Sequence, residues 1–147
     1  MGGEAYYYVV PYEAAITEAL EKLREREFLA GRYNPVMRHI PFPLTDEAPA
    51  PGGQHDSIME AIEASAEEGT RSILDIMRIS EEPDFCAACP LDEPTLVRLF
   101  GTARPSRAAV EGNLDFFDGI ERGQAVYIVL YEKGRPTELF FAGYSFD

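Results

Sequence analysis

Apolar and polar positions change rhythm several times along the chain, and each change marks an element. EAYYYVVPY at 4–12 is aromatic and β-branched, and Pro11 closes it, so a first strand is expected. Over 12–31 the rhythm lengthens. Ile16, Leu20 and Leu23 recur at i, i+4, i+7 with Ala19 beside them, the stripe of an amphipathic helix. Glu18 and Lys22 form an i,i+4 pair on its wet side, and Gly31 supplies a stop.

Over 32–56 the rhythm is lost. Pro35, Pro41, Pro43, Pro49 and Pro51, then Gly52 and Gly53, exclude helix. A short extended piece fits near Val36–Ile40. So long a connection is uncommon in a compact domain and is often functional or mobile. A second helix is expected over 56–69. Ser57 and Glu60 form a capping box, Ile58, Ala61, Ile62 and Ser65 face inward, and Glu60, Glu63, Glu67 and Glu68 face water.

RSILDIMRI at 71–79 is apolar on both faces, which suits a central strand. A loop over 80–94 follows. Helices are then expected over 93–101, with Pro94 near its start, and over 105–123, with Val110, Leu114 and Phe117 on one face. The chain closes with two apolar runs around Lys133-Gly134-Arg135-Pro136, a hairpin whose Val126, Ile128, Leu130, Leu139 and Phe141 can cover a core. The fold class is therefore α+β: a mixed sheet of about four strands with helices packed on it, ending in a C-terminal β-hairpin. A length of 147 residues fits one domain, 1–147, with a long Pro-rich loop at about 32–56.

Charge narrows the range of partners. Thirteen basic and 26 acidic residues give a net charge of −13. The middle third is the acidic part: residues 51–100 carry 3 basic and 11 acidic groups, net −8. Such an excess repels phosphates and anionic lipid headgroups and attracts basic partners, so neither nucleic acid nor membrane is expected. The N-terminal residues lack the basic region of a signal peptide, and no apolar run approaches the ~20 residues of a membrane span. A cytoplasmic location is expected, where thiols stay reduced.

The chemistry-bearing signals are few. Cys86 and Cys89 are the only cysteines and have dithiol spacing. No Lys, Arg or His lies between Ile79 and Val97, whereas Glu81, Glu82, Asp84, Asp92 and Glu93 do. That negative field raises thiol pKa values, and one cysteine pair with His39 and His55 matches no zinc signature. Two small residues packed under a loop is the simpler reading. The expectation is reduced, metal-free thiols that alkylate slowly, with no cofactor and no catalytic residue assigned. No phosphate-binding glycine motif occurs, and Asp56 and Ser57 beside His55 are explained by helix capping. Tyr6, Tyr7, Tyr8, Tyr127, Tyr131 and Tyr144 fall on expected strands, where aromatic residues more often pack under helices than bind ligands.

Two functions fit. The first is a non-enzymatic cytosolic protein-binding domain, such as an immunity-type inhibitor or a small regulatory partner. It would bind a basic protein through the 32–56 loop and an acidic helical surface that includes Glu63, Glu67 and Glu68, and charge reversals at those three would slow association. The alternative is a small-molecule-binding domain or minor enzyme. Its pocket would lie between the sheet and the Pro-rich loop, near Arg32, Tyr33, Arg38 and His39, the most positive stretch of the chain.

Overall fold

The computed structural model describes residues 3–146. Strands β1 (Ala5–Pro11), β2 (Arg78–Ile79), β3 (Ala87–Pro90), β4 (Ala125–Glu132) and β5 (Arg135–Tyr144) form one sheet in the order β1-β5-β4-β3-β2. β5 runs antiparallel to both neighbours, while β2, β3 and β4 run parallel to one another. The helices are α1 (Ile16–Ala30), α2 (Ile58–Ser65), α3 (Glu93–Phe100) and α4 (Arg107–Glu111). This is the expected α+β fold, a mixed sheet with helices and a C-terminal hairpin, with five strands rather than about four. Among the described residues no helix is long and apolar enough to cross a membrane.

The period-two alternation of the strands explains the layering. Tyr6, Tyr8 and Val10 of β1, Ala88 of β3, and Leu139 and Phe141 of β5 share one core with Ala19, Leu20 and Leu23 of α1. Val9, Cys89, Val126, Ile128, Leu130, Phe140 and Ala142 face the other way, onto Val110, Phe116, Phe117 and Ile120. Strands apolar on both faces must be covered on both. The two arms of the hairpin therefore contribute to two cores, not to one. Its turn, Lys133-Gly134, has φ of 53° and 76°, the two positive values a two-residue type I′ connection requires.

Three expected elements change. Residues 71–79 are not a central strand. Ile73–Asp75 form a 3₁₀ turn, and only Arg78–Ile79 pair, at the sheet edge. Side chains divert this backbone: Ser72 Oγ accepts the Leu74 N–H at 3.2 Å, and Asp75 accepts the Thr70 N–H at 3.0 Å. Residues 80–94 are not all loop, because Ala87–Pro90 form β3 between β2 and β4. Its residues are too small and too few to show a period. The helix expected over 105–123 breaks after Glu111. Gly112 ends α4, Asn113 Nδ2 donates to the Leu99 carbonyl at 3.1 Å, and a 3₁₀ turn at Asp115–Gly119 follows. On α1, Lys22 pairs with Glu13 at 2.8 Å instead of Glu18.

The Pro-rich segment is tied to the rest at both ends and in its middle. Gly31 turns left-handed at φ 76° and ends α1. A helix leaves its last carbonyls without partners. Here the segment returns to supply them: Gly52 N–H donates to Ala30 at 2.8 Å and Gly53 N–H to Leu29 at 3.0 Å. A side chain at Gly31 or Gly53 would collide with backbone, which explains both glycines. The extended contact expected near 36–40 occurs instead at Leu44. That residue is fully buried and pairs with the free edge of β1, where Tyr7 N–H donates to Leu44 and Leu44 N–H to Ala5. The segment thus covers an edge that would otherwise be open to other chains.

Glu27 locks this arrangement. Its carboxylate has no solvent exposure and accepts Arg32 Nε at 2.7 Å, Arg32 Nη2 at 2.8 Å and Arg26 Nε at 3.0 Å. Arg32 also reaches the Ala48 carbonyl, and Arg26 reaches Asp46 and the Val9 carbonyl. Removing one partner of a buried ion pair strands the other charge. Glu27→Ala is therefore expected to cost about 3–5 kcal/mol, measured as a lower urea midpoint, with a smaller loss for Glu27→Gln.

Asp75 is 6% exposed, and burial raises its pKa above 3.8 despite the hydrogen bonds from Thr70. The fold thus binds this proton more tightly than the unfolded chain does. The contribution to stability is complete below pH 3.8 and is lost as pH rises through the raised value. Across that window the parent's urea midpoint is expected to fall relative to that of Asp75→Asn.

Candidate functional site

A depression lies beside the carboxyl ends of the parallel strands β2 and β3, a recurrent ligand position in sheets with parallel strands. It measures about 620 Å³ and is bounded by Glu81–Pro83 after β2, by Cys89–Asp92 at the end of β3, by α3 and by the 3₁₀ turn at 115–119. Local rules place each wall. Asp92 caps α3 by accepting the Thr95 N–H at 3.1 Å and its hydroxyl at 2.7 Å. Leu96, Leu99 and Phe100 of α3 pack against the second core. Phe116 and Phe117, stacked at 5.0 Å, bury their rings in that core, leaving Asp115 and Asp118 exposed at the rim.

The result is an apolar floor under an acidic mouth. Cys89, Leu91, Leu99, Phe116, Ile120 and Val126 contribute apolar surface, and Glu81, Glu82, Asp92, Asp115 and Asp118 contribute five carboxylates. Arg98 is the single cation of the lining. The Thr95 hydroxyl holds the Asp92 carboxyl below its ordinary range, so it stays ionised. Burial pushes the Cys89 thiol up, and Glu82 and Asp92 push it further, which registers the negative field inside the cleft. A cation with an apolar stem meets complementary surface at both ends here.

The four ligand candidates of the basic stretch are not brought together. Arg32 is held by Glu27, and Tyr33 is fully buried with its hydroxyl 2.8 Å from His55 Nδ1. Arg38 and His39 are exposed and line a shallow depression of about 430 Å³ with Val36, Met37 and Pro49–Pro51. Glu63, Glu67 and Glu68 are exposed on α2 and the 3₁₀ turn that follows it. α2 packs through Ala61 with Phe28, Tyr33 and Leu74, away from the core beneath the cleft. The carboxylates of α2 and its 3₁₀ turn thus form an acidic surface separate from that of the cleft. Glu81, Glu82 and Asp92 were already visible in the sequence as the acidic surroundings of the cysteines. Asp115 and Asp118 carry no local signal, because only the fold of the broken helix brings them to the same mouth.

Cys86 and Cys89 are free thiols in different surroundings. Cys86 has φ 59° and lies in the field of Asp75, whereas Cys89 belongs to the second core. Burial raises both pKa values. Both are expected to react with iodoacetamide more slowly than free cysteine at neutral pH, followed by mass spectrometry. Among the described residues no group of three or more His, Cys, Asp or Glu is placed to hold a metal ion. Comparison with protein-family models, curated proteins and solved structures returns no match for this chain.

Proposed function

We propose that this protein is a non-catalytic binding module that recognises a basic protein partner. The observation that carries the reading is the cleft, where five carboxylates and one arginine rim an apolar floor. The net charge of −13 supports it, since a field of that sign draws a basic partner in before contact. A cytosolic setting suits two unpaired thiols. A second reading, binding of a small organic cation, has support from the cleft volume of about 620 Å³, which falls within the range of small-molecule sites.

The two acidic surfaces have separable roles. Glu63, Glu67 and Glu68 steer from a distance, and the cleft makes the contact. With an arginine-rich peptide as probe in a biosensor, reversing all three glutamates to lysine moves the net charge from −13 to −7. That change is expected to slow association several-fold and flatten its salt dependence, with dissociation unchanged. Glu82→Gln with Asp118→Asn is expected to speed dissociation. Absence of any salt-dependent binding of the probe would remove the basis of the reading.

A further inference from the structure

We infer that the cleft receives a short segment of the partner in which an apolar anchor is flanked by arginine or lysine; this rests on the basic-partner reading above. Two independent features of the cleft point to that occupant. Its rim carries carboxylates on three separate elements, the loop after β2, the cap of α3 and the 3₁₀ turn, so negative charge surrounds the opening. Its floor is apolar and is built from side chains of the second core, Cys89, Phe116, Ile120 and Val126 among them. A bare cation would leave that floor wetted, and a purely apolar segment would leave the carboxylates unpaired. A side chain pair of mixed character satisfies both.

Cys89 reports on the floor. It is 3% exposed, lines the cleft, and is a free cysteine. An anchor seated over it closes the remaining access. Cys86 lies outside the cleft lining and serves as a control in the same molecule. Arg98 is the counter-test. It sits in the field of Asp92 and opposes a cationic guest, so its removal favours binding.

The experiment uses the intact chain and a labelled octapeptide of alternating arginine and leucine, followed by fluorescence anisotropy. The expected result is saturable binding that weakens at least tenfold in Glu82→Gln/Asp118→Asn and tightens two- to fivefold in Arg98→Ala. In alkaline buffer, bound peptide is expected to slow Cys89 alkylation at least fivefold and leave Cys86 unchanged. Asp92 is left intact because it caps α3. Equal binding of a glutamate–leucine octapeptide would overturn the inference, as would weaker binding in Arg98→Ala. Protection of Cys89 by spermine as strong as that by the peptide would assign the cleft to small organic cations instead. If the arginine-rich probe still binds while Cys89 stays unprotected, the cleft assignment fails and the basic-partner reading stands. If the probe does not bind at all, both fail.

Discussion

A carboxylate with no exposure, Glu27, joins the end of α1 to the start of the Pro-rich segment and, through its arginine partners, to the middle of it. Two arginines share it, and each passes the connection on: Arg32 to the Ala48 carbonyl, Arg26 to Asp46 and to the Val9 carbonyl of β1. Such a group is costly to bury unless every oxygen is occupied. Its occupation therefore fixes where α1 ends, how the segment leaves it and where the segment returns. Leu44 can then reach the first core and close the edge of β1.

With that edge covered, the sheet presents only the short β2 at its other margin. The acidic cleft lies at this margin. The parallel strands β2 and β3 end there, and the chain leaving each must turn away from the sheet. Those turns carry Glu81, Glu82 and Asp92. The second core supplies the floor, so the same packing that stabilises the far face of the sheet also shapes the cleft. Core and cleft meet at Phe116, which stacks in the one and lines the other.

Much of this was legible in the chain. The β1 pattern, the α1 stripe, the Ser57 cap and the hairpin follow from local period and turn chemistry, and all four appear in the structure. The failures have one character. At 71–79, hydrogen bonds that the Ser72 and Asp75 side chains accept from nearby backbone N–H groups outcompete strand pairing that the apolar pattern favours. At 87–90, three small residues and a proline form a strand because β2 and β4 lie on either side, not because of their own propensity. Arg32 stood out as a ligand candidate by its charge, yet a carboxylate five residues earlier occupies it.

The sequence by itself determined the α+β class, the hairpin, the acidic character and the unfavourable surroundings of the two thiols. These rest on contacts between near neighbours and on summed charge, neither of which needs the fold. Only the tertiary structure decided that β3 exists, that Arg32 is an internal partner, and that Asp115 and Asp118 share a mouth with Glu81, Glu82 and Asp92. Each of these depends on groups distant in sequence meeting at one place. Charge and burial act through space, and the local pattern carries no record of what the packing brings alongside.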